Sequence, residues 1–325
     1  MYWGAAVLAF LVSLAVVRLL LTRFARLALD QPNERSLHDR PVPRTGGIAV
    51  MAGVVSSGLW ISPQLWPPVI LALGLGAVSL LDDVRGMSRR LRLALHVGAA
   101  GVLCWYVLSP TNAPELMLLV IAVVWVTNLY NFMDGSDGLA GGMALIGFSA
   151  YAIGAVTAGQ VALAMLCSAI GAGAAAFLLH NFHPARIFLG DAGSIPLGFL
   201  AATLGILGWR NDAWPLWFPL LVFGPFIADA TVTLLRRLIR GERVWRAHRE
   251  HYYQRMVLMG LGHRGTALVL YLLMLVCAAA ALLGRNQPPL IQALAFLGGT
   301  MVLAAAAVWA DLRWARFARG NERSA

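Results

Sequence analysis

The chain has 325 residues, of which 59% are hydrophobic and only 12% charged, and its mean hydropathy is +0.72. These values exclude an ordinary soluble domain and describe an integral membrane protein. The net charge of +10 comes entirely from Arg, since there is no Lys; it reads as a topology signal and an attraction to anionic lipid, with no nucleic-acid partner.

About 20 apolar residues are needed to cross a hydrocarbon core as helix. Runs of that kind lie near 3–22, 46–62, 66–81, 93–109, 114–128, 139–158, 160–179, 194–209, 214–235, 264–284 and 290–310, which predicts an all-α polytopic protein with about 11 transmembrane helices. The first run has no basic residue before it and Arg18, Arg23 and Arg26 after it, the reverse of a cleavable signal peptide, and is expected to be a retained helix. Counted over alternating connections, 23 of the 25 Arg fall on one side, with only Arg210 and Arg285 on the other. The positive-inside rule then puts the N-terminus outside and the C-terminus in the cytoplasm. External connections such as SPTNAPE and GRNQPP are short and rich in turn formers. The longer cytoplasmic ones, about 23–45, 82–92, 128–142, 180–194 and 236–264, make one membrane domain over 1–325 with its chemistry on the cytoplasmic face. Cys104, Cys167 and Cys277 all lie inside predicted spans without ligand-like spacing and are expected to be packing residues.

Three cytoplasmic connections bring carboxylates to the membrane edge. Asp82 and Asp83 end the third span in VSLLDDVRG, where the C-terminal end of a helix dipole disfavours negative charge, so a positive partner is expected. Arg85, Arg89 and Arg90 can supply it, and a divalent cation suits an oxygen-only donor set better, magnesium or manganese over zinc. In NLYNFMDGSDGLAGG, Asn128, Asn131, Asp134 and Asp137 follow one another at a spacing of three. In FLGDAGSIPLGF, Asp191 precedes the eighth span. Glycines flank both of the latter motifs and a helix is expected to begin just after each, so backbone N–H groups and helix N-termini can face a phosphate. Metal, Arg and helix N-termini in one place describe phosphoryl chemistry at a membrane surface.

Two further features lie downstream. Asp229 sits inside the ninth span, costly for an ionisable group, in a segment that Pro215, Pro219 and Pro225 should bend. Such a bend opens room for an apolar chain, whereas the plainer role for Asp229 is to pair with a neighbouring helix or loop Arg. The last large loop, RGERVWRAHREHYYQRMVLMGLGHRG, holds His248, His251 and Arg255, which on a helix would share one face. Arg246 and Arg249 in the same loop suit either substrate or anionic lipid.

The succession of LLDDVRG, NLYNFMDGSDGLAGG and FLGDAGSIPLGF resembles the polyprenyl-phosphate N-acetylhexosamine-1-phosphate transferases, the family that also contains the phospho-MurNAc-pentapeptide translocase. The likeness extends from DQPNERSLHDRPVPRTGGIAV, near residue 30, to about 264. The resemblance implies transfer of a sugar 1-phosphate from a UDP-N-acetylhexosamine to undecaprenyl phosphate, with Mg²⁺ or Mn²⁺, at the cytoplasmic face of the bacterial inner membrane, and it makes a homodimer plausible. It assigns Asp82, Asp83 and Asp191 to catalysis and Asp191 with Asp83 to the metal. Asn128, Asn131, Asp134 and Asp137 fall to nucleotide binding, with His248, His251 and Arg255 on the substrate. The translocase branch carries adjacent histidines where this loop spaces them by three, so the resemblance favours the branch that initiates O-antigen or another surface glycan. The competing readings are a pentapeptide-type transferase, a flippase or transporter of lipid-linked sugars, which should carry its charges near the midplane, and a phosphatidyltransferase, which should gather its Asp on one helical motif.

Overall fold

The computed structural model describes residues 3–24, 28–30, 41–60, 62–107, 110–244 and 248–322; the side chains of 59, 60, 83–85, 321 and 322 also lie outside the description. Most of the predicted first loop, Trp245 and Arg246 therefore fall outside it, as does the side chain of Asp83.

The helices are α1 (Trp3–Arg23), α2 (Gly46–Ser56), α3 (Trp66–Arg85), α4 (Arg89–Tyr106), α5 (Ala113–Phe132), α6 (Leu139–Thr157), α7 (Val161–Asn181), α8 (Asp191–Arg210), α9 (Trp217–Val222), α10 (Gly224–Ile239), α11 (Tyr252–Met256), α12 (Gly262–Gly284) and α13 (Pro289–Glu322). One short antiparallel pair, β1 (Leu29–Asp30) with β2 (Val42–Pro43), is the exception. Among the described residues, eight helices are long and apolar enough to cross a membrane, against the eleven expected. The other three apolar runs fold, but differently. The run 46–62 is an 11-residue helix followed by a 3-10 turn. The run 93–109 lies in α4, whose first turn carries Arg89, Arg90 and Arg92. The run 214–235 breaks at Phe223 into α9 and α10, where Pro225 cannot supply an N–H to a continuous helix.

The centre of the bundle is α8, 94% buried over its apolar window, with α2, α3, α5 and α6 packed around it. Small residues allow this: a Cβ on Gly47 would lie 2.3 Å from Cα of Gly193, so α2 and α8 meet backbone to backbone. The same contact is anchored by main-chain hydrogen bonds from Gly46 and Gly47 to the carbonyls of Phe188 and Leu189, both 2.9 Å. The segment before α8 is thus fastened to the one before α2, which fixes where α8 begins. At the far end, Tyr151, Trp214 and Phe218 stack with centroids 5.0–6.1 Å apart, and buried Arg285 donates to the carbonyls of Gly154 (2.6 Å) and Ala213 (2.9 Å). The three cysteines are free and buried, as expected of packing residues.

Candidate active site

Four helix ends meet at one face: the last turn of α3, the first turn of α4, the last turn of α5 and the first turn of α8. The turn between α3 and α4 is short. Gly86, at φ +66°, stops α3, and the Ser88 side chain caps α4 by accepting from the Leu91 amide. This hairpin returns Arg92 toward Asp82. Arg92 Nη1 donates to Asp82 Oδ2 at 2.9 Å and to Asp191 Oδ2 at 3.3 Å, joining carboxylates from two loops distant in sequence. The second oxygen of Asp82 accepts from the Met87 amide. Asp191 opens α8 after Gly190, whose φ of +72° suits glycine, and a Cβ there would lie 2.3 Å from the Arg44 carbonyl oxygen. Asn131 Nδ2 donates to Asp191 Oδ1 and to Ser194 Oγ, both at 2.9 Å.

Asp134 joins this group from the loop after α5. It accepts from the Gly190 amide, and burial, then the nearby Asp191 and Asp30 carboxylates, push its carboxyl well above the ordinary value. Arg44 adds a second positive charge near Asp82. The result is a half-exposed cluster in which Arg92 and Asp191 keep 35% and 31% of their side-chain surface, open to an anionic ligand. Arg92, missed by the sequence reading, supplies the positive partner expected of Arg85, Arg89 or Arg90. Its signal was its place in the first turn of the helix following the Asp pair, reachable only if α3 and α4 form a tight hairpin.

The remaining predicted residues divide. Asn128, one turn below Asn131, donates to the Val124 carbonyl at 2.7 Å and lies near His96. Asp137 is buried and turned toward the protein: Oδ2 accepts from His183 Nδ1 (2.7 Å) and the Ala185 amide (3.1 Å), and His183 stacks on His263 at 5.4 Å. Neither histidine was singled out from sequence. His248 and His251 lie side by side, centroids 4.9 Å apart. Burial first, then the neighbouring His251 and Arg237, pull the His248 imidazole down to about 4, so it is neutral at pH 7.

The expectation that His248, His251 and Arg255 share a helical face is corrected: both histidines precede α11, and His251 is its N-cap, its backbone amide donating to Gln254 Oε1 at 3.2 Å. The cause is Asp229, which ends the chain's helical freedom here by accepting from His251 Nδ1 (3.1 Å), the Tyr252 amide (2.9 Å), the Tyr253 amide (3.0 Å) and Thr233 Oγ1 (3.3 Å). Asp229 therefore takes the pairing role, as the anchor of the last loop. Arg255 points to α13, donating to Asp311 at 3.0 Å and lying over the Tyr252 and Trp314 rings. The loop still reaches the site, because Tyr253 OH donates to the Phe132 carbonyl at 3.1 Å and His251 stacks on the Phe132 ring.

Residues 65–209 match the model of glycosyl transferase family 4, a stretch that holds Asp82, Arg92, Asn131, Asp134 and Asp191. The chain is 32% identical over 304 residues to the "Probable undecaprenyl-phosphate N-acetylglucosaminyl 1-phosphate transferase" of Bacillus subtilis, covering 86% of this chain and 85% of that one. It is 32% identical to the decaprenyl-phosphate N-acetylglucosaminephosphotransferase of Mycolicibacterium smegmatis, covering 79% and 74%. A phospho-N-acetylmuramoyl-pentapeptide-transferase of Geobacillus kaustophilus is 28% identical, covering 66% and 75%. The chain belongs to glycosyl transferase family 4, among the polyprenyl-phosphate N-acetylhexosamine-1-phosphate transferases.

Proposed function

We propose that this protein transfers N-acetylhexosamine 1-phosphate from a UDP-sugar to undecaprenyl phosphate, giving undecaprenyl-diphospho-sugar and UMP. The observation that carries the reading is the Arg92 bridge between Asp82 and Asp191, beside Asn131 and the N-terminus of α8. One phosphoanhydride is exchanged for another, so the task is to hold two anions close and neutralise their charge. Arg92 and Arg44 serve that task directly, and the α8 N-terminus adds the positive end of its helix dipole. UDP-N-acetylglucosamine is the first donor to test, since the 32% identical relatives are named for N-acetylglucosamine. The spaced histidines also favour that branch over the pentapeptide one. A 6-deoxy sugar remains the second choice, and the product is read as the start of a surface glycan such as O-antigen.

The donor set fits magnesium. Its side chains offer oxygen only, and the crowding of Asp134 against Asp191 is a repulsion that a divalent cation removes. Among the described residues no three Asp, Glu, His or Cys side chains converge as a finished ligand set; the assignment of Asp191 with Asp83 to the ion rests on the sequence motifs and the family resemblance. When bound it would neutralise diphosphate charge. The chain's own residues orient the reactants: Asp82 and Asp83 order the acceptor phosphate, and Asn131 fixes the rotamer of Asp191.

The site is read as cytoplasmic, from the 23-to-2 distribution of Arg. Asp311, near the end of α13, pairs with Arg236 (2.8 Å) and Arg255 (3.0 Å), which supports a C-terminus on the same face as the site. The apolar tail of the acceptor suits the cavity of about 340 Å³ where α9 and α10 break, between α5 and α8.

The test is UMP release by purified protein given undecaprenyl phosphate and a panel of UDP-sugars. Release with one N-acetylhexosamine donor, abolished by EDTA and restored by Mg²⁺, is expected. No release with any donor removes the reading, and release that persists in EDTA removes the metal. Labelled UMP exchange into UDP-sugar without lipid should be absent; sustained exchange would replace direct attack by a covalent intermediate.

A further inference from the structure

Asn181 is the last residue of α7, is 5% exposed, and belongs to none of the aspartate motifs. Both of its polar atoms are spent on the backbone of two different segments. Oδ1 accepts from the Gly138 amide at 3.0 Å, and Nδ2 donates to the Ile187 carbonyl at 2.9 Å. A carboxamide offers one acceptor and one donor side by side, so it can join an N–H of one segment to a C=O of another. A carboxylate in its place could hold Gly138 but not Ile187.

Gly138 is gripped from a second side as well. Its carbonyl accepts from Tyr271 OH on α12 at 2.6 Å, besides the Gly142 amide of α6 at 2.8 Å. Gly138 is the N-cap of α6, sits at φ +75° and has no side chain with which to cap the helix. A Cβ there would lie 2.9 Å from Tyr271 Oη and 3.1 Å from the Phe182 ring. The position therefore takes glycine for conformation and for room, and a glycine backbone stays in place only if outside contacts hold it.

What the grip positions follows from the chain around it. Asp134 lies four residues before Gly138, and Asp191 four residues after Ile187. The loop of Ile187 is already fixed to α2, since Gly46 and Gly47 donate to the Phe188 and Leu189 carbonyls at 2.9 Å. Asn181 fastens the turn of Asp134 onto that fixed loop, and Asp137 adds a second fastening through His183 and the Ala185 amide.

We propose that Asn181 and Tyr271 are positioning residues for the transfer reaction: between them they fix the N–H and the C=O of Gly138, and through this turn they set Asp134 beside Asp191. This rests on the transferase reading above. Neither side chain touches substrate, so the whole effect passes through the turn.

The experiment is a double-mutant cycle on the full chain in nanodiscs, with undecaprenyl phosphate and UDP-N-acetylglucosamine. Asn181→Leu keeps a branched side chain without polar atoms, Tyr271→Phe removes a single oxygen, and each is combined with Asp134→Asn. Acting through Asp134, Asn181→Leu should lower kcat at least about tenfold alone but less than about threefold on top of Asp134→Asn, with KM for undecaprenyl phosphate within about twofold throughout. Tyr271→Phe should lower kcat about three- to tenfold alone, with the same loss of effect beside Asp134→Asn, and it carries the test if Asn181→Leu does not fold. Hydrogen exchange over residues 136–140 should rise at least about tenfold in Asn181→Leu, against less than about threefold at the start of α8. A role confined to stability gives the same fractional loss of kcat with and without Asp134→Asn, and that result overturns the proposal, as does unchanged kcat or unchanged exchange over 136–140. Wild type inactive with every UDP-sugar would sink the transferase reading and the positioning role with it, whereas unchanged exchange in an active enzyme sinks the grip alone.

Discussion

Asp229→Asn is the sharpest probe of how the last loop is held. The carboxylate is 4% exposed and takes four donors, three on Oδ1 and the Tyr253 amide alone on Oδ2. An Asn that keeps its oxygen at the crowded position turns an NH₂ toward the Tyr253 N–H, so one buried donor loses its partner and the other three lose a charged acceptor. Hydrogen bonds to charged groups are worth about 1.5–3 kcal/mol, and an orphaned buried donor costs about 1–3 kcal/mol. The bonds that remain offset part of this, leaving about 2–4 kcal/mol against docking of α11. At 1.4 kcal/mol per tenfold, the opening equilibrium of the loop should rise by about 30- to 1000-fold. Hydrogen exchange at the Tyr252 and Tyr253 amides, followed by mass spectrometry on the purified protein, reads this directly. Thr233→Val, which deletes the longest of the four contacts, should change exchange by less than about threefold. Donor KM should rise in Asp229→Asn because His251 loses its fixed place beside Phe132. If the Tyr253 amide is as protected in Asp229→Asn as in wild type, Asp229 does not anchor the loop and the argument fails.

Three further outcomes are expected. His248 titrates at about 4 when docked, against 6.5 when free, so an opened loop takes up a proton that the docked one refuses. Loop protection should therefore fall as pH drops from 6.5 toward 4, and His248→Gln should flatten that dependence; a dependence that survives in His248→Gln removes His248 as its source. The Asp134 carboxyl is raised, by burial first and Asp191 next, so its ionisation opposes folding as pH rises above 3.8. Asp134→Asn should raise the thermal midpoint of the substrate-free protein at pH 7 while lowering turnover, and a lowered midpoint contradicts the electrostatic account. Gly47→Ala would place a methyl 2.3 Å from Gly193, and should cost about 1–3 kcal/mol of stability and, by shifting the start of α8, reduce turnover; a normal midpoint by thermal unfolding would show that α2 and α8 separate freely.

What the sequence determined was the solvent and the chemistry. Apolar runs of helical length, Arg gathered on alternate connections, and Asp-bearing motifs at helix ends are one-dimensional signals, because the bilayer imposes length and charge rules on each segment separately. Asp82, Asn131, Asp134 and Asp191 were legible on that basis, as was the break near Pro225. Partner choice was not legible, because it depends on where helices distant in sequence end relative to one another. Only the tight hairpin between α3 and α4 brings Arg92 across to Asp82 and Asp191. The packing of α10 against the last loop made Asp229 the acceptor for the first two amides of α11, with His248 and His251 left before that helix. Asp137 reads in sequence like its neighbour Asp134, yet it turns inward to His183 and the Ala185 amide while Asp134 faces Asp191. The two carboxylates are three residues apart in a glycine-rich turn, where side-chain direction follows no helical or strand period, so only the surrounding helices could decide which one faces the site.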